Sequence, residues 1–195
     1  MSIYTLSRSP QVAPNYAFWE GGFSQDEAFR VRTDAENAMT EATIDGRKID
    51  PTIRRSKVNW LKSDQTFVWL YDKLGYVARQ LNGQYFQFAL DGFHEDLQYT
   101  VYEANDEGHY DWHMDGGEGG NYPPRKLSMV LQLSSPDEYE GGDLEFMIGS
   151  KGSIIAIKEL GMIYVFPSWL LHRVTPVTKG CRRSLVAWLS GPRFV

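Results

Sequence analysis

Cysteine is almost absent from this sequence, whose 195 residues contain only Cys181. A single cysteine excludes a disulfide within the chain and a cysteine-rich zinc site, and it is typical of reducing compartments. The sequence also lacks an apolar run of about 20 residues, the length that crosses a membrane. Its first residues, MSIYTLSRSP, lack the basic and then apolar pattern of a secretory signal. We therefore expect a cytoplasmic protein without a membrane partner.

An excess of positive charge is missing as well. Lys and Arg number 20 against 25 Asp and Glu, which gives a formal net charge of −5. Nucleic-acid binding depends on clustered Lys and Arg, so this balance disfavours such a partner. The run RRSK, residues 54–57, is a local exception, and we interpret it as the solvated end of a strand. The length suits one well-filled domain, and nothing in the sequence indicates an oligomeric state.

Two segments near the start have the apolar spacing of amphipathic helices. The first, residues 24–39, begins with Ser24 and has Glu27 three residues later, the pattern of a capping box. In the second, residues 63–83, Ser63 is the expected cap and the final Asn-Gly pair the expected end. The expected buried faces are Ala28, Val31, Ala35 and Ala38 in the first helix, and Phe67, Leu70, Leu74, Val77 and Leu81 in the second.

After residue 83 the sequence changes to short runs rich in β-branched and aromatic residues. No connector between them is long enough for a helix, which favours an antiparallel sandwich or barrel. We predict a mainly β fold with flanking N-terminal helices. The helical buttress covers about 24–83, and the core, about 84–191, is a double-stranded β-helix, or jelly roll. An immunoglobulin-type sandwich fits the helices less well. The predicted strands are QYFQFAL, DLQYTVYEA, HYDWHMD, KLSMVLQLS, GDLEFMI, SIIAIK, GMIYVFP and RRSLVAWLS.

The run HYDWHMD places histidine and aspartate one residue apart. Alternate residues of a strand share a face, so His113 and Asp115 point the same way and are close enough to hold one ion. The alternative is a helical zinc motif built on His109 and His113. That motif needs glutamate where Tyr110 stands, and the glycines on either side leave no room for a long helix. We therefore favour the strand.

A third ligand is expected, because two side chains rarely suffice for a metal site. His172 follows an apolar run that ends at Pro167, and a jelly roll brings such a segment beside the strand of His113. Two histidines and one carboxylate with open positions are the facial triad of non-haem Fe(II) oxygenases. Each element alone also has an ordinary structural explanation, since a lone H-x-D occurs by chance and a histidine after an apolar strand is often simply buried.

The residues after His172 provide a second feature. Arg182 lies ten residues beyond this histidine and Ser184 two residues further on, so a strand presents Arg182 and Ser184 on one face. A guanidinium beside a hydroxyl is suited to bind a carboxylate. A module that only binds metal has no need for this pair.

Three segments in this order resemble the Fe(II)/2-oxoglutarate-dependent dioxygenases, specifically the prolyl-hydroxylase-like branch that includes the PKHD-type hydroxylases. They are YEANDEGHYDWHMD, RKLSMVLQLSSPDEYEGGDLEF and HRVTPVTKGCRRSLVAW. Looser similarity in WEGGFSQDE and RRSKVNWL extends the likeness over nearly the whole chain. We therefore expect a single dioxygenase domain over residues 1–195.

The resemblance implies a role for each residue of the two features. His113, Asp115 and His172 are the expected ligands of Fe(II), and they are the expected catalytic centre. Arg182 is expected to bind the distal carboxylate of the cosubstrate 2-oxoglutarate, and Ser184 to assist it.

Three further residues match cosubstrate positions of the family less well. Tyr102 and Tyr110 correspond to tyrosines that line the cosubstrate pocket, and both also fit an ordinary core. Strict strand alternation points Tyr110 away from His113, so its role requires a bulge or a bend. Gln132 stands where relatives often carry a tyrosine that contacts the cosubstrate.

The resemblance also implies an activity, in which 2-oxoglutarate and O2 are converted to succinate and CO2 while an unactivated C–H bond is hydroxylated. Ascorbate is the expected reductant. The expected substrate is a peptidyl proline or another amino-acid residue of a peptide or protein, or a small molecule. Two alternatives stay open: a nucleic-acid demethylase of the same chemistry, and a non-catalytic, cupin-like metal-binding module. The glycine-rich loop 116–124 is a candidate lid over the substrate or a plain connector.

Overall fold

The computed structural model describes residues 14–43, 50–116 and 123–192. In these residues it contains two α-helices and fourteen strands, and none of its helices is long and apolar enough to cross a membrane. The helices are α1 (Gln25–Ala35) and α2 (Val68–Leu81). The strands are β1 (Ala17–Trp19), β2 (Thr40–Glu41), β3 (Arg54–Arg55), β4 (Lys57–Leu61), β5 (Gly92–Phe93), β6 (Leu97–Glu103), β7 (His109–His113), β8 (Arg125–Gln132), β9 (Tyr139–Gly141), β10 (Leu144–Met147), β11 (Ser153–Ile155), β12 (Ile163–Pro167), β13 (His172–Val174) and β14 (Val177–Ser190).

Helix α1 begins as the sequence predicts. The Ser24 hydroxyl accepts a hydrogen bond from the backbone N–H of Glu27, and the Glu27 carboxylate accepts one from the N–H of Ser24. The predicted apolar face is buried at Ala28, Val31 and Ala35. The α-helix ends earlier than predicted, because a 3₁₀ turn replaces it from residue 36 to 38.

Helix α2 begins differently from the prediction, although its predicted apolar residues are all buried. Ser63 is not the cap; the Asp64 carboxylate accepts the N–H groups of Thr66 and Phe67 instead, because an aspartate at this position forms its own turn. The α-helix ends at Leu81, directly before the predicted Asn-Gly stop, and Asn82 is its C-cap. The backbone continues in a π-helical turn to residue 86, and Gln87 ends it with a left-handed φ of 55°.

This extra turn removes the first predicted strand, QYFQFAL. Both polar groups of the Asn82 side chain bind the backbone of Phe88, which closes the segment as a turn rather than an extended chain. The other seven predicted runs all contain strands. Six of the seven strands missed by the sequence patterns have only two or three residues, too few to show alternation.

The strands form two sheets that confirm the predicted jelly roll. In the described residues, the larger sheet has nine strands, with the order β1-β12-β8-β14-β6-β4-β2 and with β5 and β9 attached to β14. The smaller sheet has the order β11-β10-β13-β7-β3. The smaller sheet carries the histidine strands β7 and β13 side by side, and His113 pairs directly with His172.

The two faces of the larger sheet differ in chemistry. The face against the helices is apolar and belongs to the main core. On β6, β8 and β14 the alternate residues are buried yet polar: Gln98, Thr100, Ser128, Gln132, Arg182 and Ser184. Burying polar groups costs free energy unless partners are supplied. A polar row in the interior therefore indicates a site for a polar ligand.

Candidate metal centre

His113, Asp115 and His172 lie together between the sheets. Nε2 of His113 is 3.7 Å from Oδ1 of Asp115, and Nε2 of His172 is 3.6 Å from Oδ2. One donor atom from each residue lies within 4.8 Å of the others, a spacing that one ion can span. Strand β7 ends at His113, so Asp115 reaches the site from the segment just after the strand.

Backbone carbonyls fix the orientation of both imidazoles. Nδ1 of His113 lies 2.7 Å from the carbonyl oxygen of Asp111, and Nδ1 of His172 lies 2.8 Å from that of Leu170. A carbonyl only accepts hydrogen bonds, so Nδ1 must carry the proton in both rings. The lone pair of each Nε2 is therefore directed at the centre of the cluster, which is how metal-binding histidines are usually held.

The electrostatics also favour a cation. Burial, together with the neighbouring His172, lowers the pKa of His113 to about 4. Burial alone would raise the pKa of Asp115, but His172 and His113 outweigh it and the pKa is lowered. Near neutral pH the cluster thus offers a neutral His113 imidazole and a carboxylate, the protonation states in which these groups bind metals.

Four further residues surround Asp115 or support the groups around it. Its carboxylate faces the Ser128 hydroxyl and the indole N–H of Trp188, which contribute to its lowered pKa. Trp188 Nε1 has no hydrogen-bond partner among the described residues, so it acts on the carboxylate at longer range. Arg125 lies with its guanidinium 3.8 Å from the Trp188 ring centroid and donates to the backbone carbonyl of Asp115. Glu95 holds Arg125 by two hydrogen bonds of 2.6 and 2.9 Å.

Tyr110 points into the site because β7 contains the bulge that its role requires. His172 pairs with His113 and Val174 pairs with Tyr110. The paired residues are two positions apart on β13 but three positions apart on β7, so β7 contains one extra residue. The extra residue brings Tyr110 and His113 to the same face, where their rings stack with centroids 3.4 Å apart and planes 14° apart. Tyr110 therefore forms one wall of the cluster.

Arg182 and Ser184 also lie together, as predicted. Arg182 is 1% exposed, and its Nη1 donates to Oγ of Ser184 over 3.2 Å. Its other partners are the Gln132 amide oxygen at 3.1 Å and the ring face of Tyr102, 5.4 Å away. All of these partners are neutral, and Nε of Arg182 has no hydrogen-bond partner among the described residues.

The structure thus places Tyr102 and Gln132 around the guanidinium of Arg182. A buried guanidinium without a carboxylate partner is costly, unless a ligand supplies the negative charge. The residues present fit a small dicarboxylic acid, one carboxylate of which would be held by Arg182. This fit rests on the orphaned Nε atom and on the neutral surroundings of the charge.

Sequence reasoning missed Arg54, Gln98 and the Arg125–Glu95 pair. Arg54 is buried, and the expectation that RRSK is a solvated strand end is wrong for this residue. Its guanidinium lies 4.6 Å from the ring centroid of Tyr110, so it belongs to the surroundings of the site. A charged residue beginning a two-residue strand leaves no periodic signal, which is why the pattern did not reveal it.

The other predicted features lie away from the centre or outside the described residues. His109 is half-buried and its ring nitrogens face backbone carbonyls, so it does not join the cluster. Gly116 is anchored through its N–H to the Ser168 carbonyl. Residues 117–122, most of the predicted lid or connector, lie outside the described residues.

Comparison with known sequences agrees with this geometry. Residues 97–190 match the family model described as the 2OG-Fe(II) oxygenase superfamily. A PKHD-type hydroxylase of Gloeothece citriformis is 40% identical over 81 residues, which are 41% of this chain and 36% of that protein. A PKHD-type hydroxylase of Saccharophagus degradans is 48% identical over 65 residues, 32% of this chain and 27% of that protein. The matched part of the chain therefore spans about a third of the length of these relatives.

Solved structures share the fold. A prolyl-4-hydroxylase of Pseudomonas putida superimposes with a TM-score of 0.71 at 20% identity, covering 90% of this chain and 92% of the other. A prolyl hydroxylase of Trichoplax adhaerens, solved with a peptide of hypoxia inducible factor, gives 0.75 at 14% identity, covering 90% and 83%. The match in sequence and the match in fold both agree with the family resemblance: residues 97–190 are similar to the 2OG-Fe(II) oxygenase superfamily, and the fold is shared with the prolyl hydroxylases.

Proposed function

We propose that this chain is an Fe(II)- and 2-oxoglutarate-dependent dioxygenase that hydroxylates an unactivated C–H bond of a peptidyl proline or another amino-acid residue. His113, Asp115 and His172 are the proposed iron ligands. Arg182, assisted by Ser184, is the proposed partner of the distal carboxylate of 2-oxoglutarate. The observation that carries the proposal is the buried charge of Arg182, which has no carboxylate partner among the described residues and lies in the same interior as the three ligands.

The chain's own residues prepare the site for this chemistry. The carbonyls of Asp111 and Leu170 keep Nδ1 of each histidine protonated, and so leave Nε2 for the metal. Gln132 and Tyr102 orient the guanidinium of Arg182 without neutralising it. Bound Fe(II) and 2-oxoglutarate supply the activation of O2, with succinate and CO2 as the products of the cosubstrate.

The mouth of the site supports a substrate with an apolar ring. Trp60 is 44% exposed, and its ring centroid lies 6.0 Å from that of the buried Trp188, which borders Asp115. The two indole planes are tilted by 36°, and together they form an apolar wall against which a pyrrolidine ring packs well. The cation at this mouth, Arg125, is neutralised by Glu95, so a phosphate backbone finds little attraction here.

Three finer features complete the proposal: a peptide or protein as the substrate, ascorbate as the reductant, and a cytoplasmic location. The peptide is supported by the similar fold of the Trichoplax adhaerens prolyl hydroxylase, which was solved with one. The single cysteine supports a reducing compartment. Fractionation of the native host tests the location.

The test is substrate-dependent succinate formation by purified protein with Fe(II), 2-oxoglutarate and ascorbate. Pools of blocked peptides with a central proline, lysine or asparagine are compared with N-methylated oligonucleotides, and products are read as a gain of one oxygen in mass. For the oligonucleotides, where the hydroxylated N-methyl group leaves as formaldehyde, the product is read instead as a loss of CH2. We expect oxidation in the proline pool and none with His172→Ala. Turnover confined to the oligonucleotides overturns the substrate class. Absence of 2-oxoglutarate and metal binding by the wild type overturns the whole proposal.

A further inference from the structure

A buried polar chain leads away from the metal cluster on the side of β7 and β3. The ring of Tyr110 stacks on His113, and the guanidinium of Arg54 lies over the Tyr110 ring, 4.6 Å from its centroid. Nε of Arg54 donates to Oγ of Ser56 over 2.9 Å, and Nη2 donates to Oε1 of Gln98 over 2.8 Å. The guanidinium of Arg54 is thus held by three contacts, with the Tyr110 ring, the Ser56 hydroxyl and the Gln98 amide.

Arg54 determines which way the Gln98 amide is turned. A guanidinium only donates hydrogen bonds, so the atom of Gln98 that faces it must be the carbonyl oxygen. The same oxygen lies 3.4 Å from the hydroxyl of Thr100, a second donor. The amide NH2 therefore points away from Arg54 and Thr100, and it has no acceptor among the described residues.

The sheet register places Gln98 between two parts of the site. In the larger sheet, Gln98 lies opposite Trp60 on one side and Val186 on the other. Trp60 forms the exposed mouth with Trp188, while Arg182 lies four residues from Val186 along β14, at the cosubstrate end. Gln98 thus lies between the mouth and the cosubstrate end. It is 6% exposed, and so its position is set by the protein rather than by solvent.

We infer that Gln98 is a specificity-determining residue whose N–H donates to a carbonyl oxygen of a peptide substrate, and that Arg54 is the positioning residue that presets its donor. The inference rests on the proposed function and narrows its substrate class. A peptidyl proline has no backbone N–H and offers only acceptors. The amide oxygen of Gln98 already accepts hydrogen bonds from Arg54 and Thr100, so Gln98 offers a substrate only its N–H donors. The pair therefore favours a prolyl residue over side chains that themselves need an acceptor.

The experiment compares peptide binding under nitrogen, where Fe(II) and 2-oxoglutarate are bound but no turnover occurs. The probes are N-acetyl-Ala-Ala-Pro-Ala-Ala-amide and the matching peptide with a central lysine. Gln98→Met keeps the size of the side chain and removes its hydrogen bonds. Gln98→Glu keeps an acceptor for Arg54 but turns a second acceptor toward the substrate. Gln84→Met, at an exposed glutamine, is the matched control.

We expect Gln98→Met to weaken binding of the proline peptide about five- to tenfold, the worth of one hydrogen bond. Gln98→Glu should weaken it more, and the control should not change it. The affinity for 2-oxoglutarate should be the same in all four proteins. In the ¹⁵N spectrum, the side-chain NH2 signal of Gln98 should shift when the proline peptide is added. In Arg54→Lys, which keeps the charge but loses the planar fork, this shift should be lost while the fold persists by circular dichroism.

The possible outcomes distinguish a failure of the role inferred for Gln98 from a failure of the proposed peptide substrate. Equal affinity of wild type and Gln98→Met for the proline peptide, or an unshifted Gln98 signal on binding, overturns the inference alone. A wild-type protein that binds neither peptide overturns the proposed peptide substrate, and the role of Gln98 with it. A stronger preference for the lysine peptide in the wild type overturns the donor-only argument.

Discussion

The amide oxygen of Gln132 lies 3.1 Å from Nη2 of Arg182. The contact orients the guanidinium but cannot neutralise it, because an amide carries no net charge. Gln132 thus acts on the expected cosubstrate through Arg182, and its own contact with the ligand stays a prediction.

Replacing Arg182 tests the carboxylate site. Arg182→Ala removes a buried charge–carboxylate contact, a loss of about 2–5 kcal/mol, so 2-oxoglutarate should bind at least tens of times more weakly. Titration calorimetry measures the change. Arg183→Ala is the control, because Arg183 points to the other face of β14 and pairs with Glu36. A larger loss for Arg183→Ala than for Arg182→Ala would contradict the assignment.

Replacing His172 tests the metal centre. Fe(II) and 2-oxoglutarate, mixed with the protein without oxygen, should give a weak visible charge-transfer band, and His172→Ala should abolish it because one of three ligands is gone. His109→Ala should keep the band, since His109 lies on the same strand as His113 but binds only backbone carbonyls. A band of full strength in His172→Ala would refute the ligand set.

The start of α2 gives a prediction on stability. Asp64→Ala removes the side-chain acceptor of two backbone N–H groups and should lower the free energy of unfolding by about 1 kcal/mol. Ser63→Ala should change it by less than about 0.5 kcal/mol, because Ser63 is not the cap. Urea denaturation of both variants decides between them, and a larger effect at Ser63 would restore the cap expected from the sequence.

Glu36 gives a prediction on pH dependence. Burial alone would raise its pKa, but hydrogen bonds from Arg183 and Tyr99 outweigh burial and lower it. A carboxyl group with a lowered pKa stabilises the fold fully above its ordinary value of 4.5, and this contribution is lost as the pH falls through the folded value. Glu36→Gln should therefore cost about 1 kcal/mol near neutral pH, a modest amount because the group is partly exposed.

The check for Glu36 is the difference in urea midpoint between wild type and Glu36→Gln at several pH values and constant ionic strength. The difference should shrink below about pH 4. A difference that stays constant from neutral to acid pH would show that the pairing with Arg183 does not depend on the charge of Glu36.

The sequence was sufficient for those parts of the fold that depend on long periodic patterns. The apolar spacing of α2 and the runs in β6, β8, β12 and β14 predict elements that the structure confirms, because burial selects apolar residues on every turn or every second residue. The predicted cap of α2 was wrong because the Asp64 carboxylate, not Ser63, accepts the backbone N–H groups there. The first predicted strand was wrong because the Asn82 side chain binds the backbone of Phe88 and closes a turn. Strands such as β3 and β13 are too short to show a period, and long-range pairing alone creates them.

In the candidate site, too, some residues carry a sequence signal and others do not. His113, Asp115 and His172 were found because their chemistry is unusual at that spacing, and Arg182 because its charge follows at a fixed distance on a strand. Arg54 and Gln98 have no such signature. Their roles arise from a contact between a residue at position 54 and one at position 98, and only the folded chain brings the two together.

The bulge in β7 makes the chemistry of His113 depend on the number of residues in a strand. Asp111, whose carbonyl holds the proton on Nδ1, lies within the irregular stretch between Tyr110 and His113. Deleting one residue there would restore even pairing and still leave both rings on the inner face. It would also withdraw the carbonyl, so that either nitrogen could carry the proton. An insertion or deletion in this stretch would therefore change which nitrogen of His113 is free to bind a cation, although His113, Asp115 and His172 would all still be present.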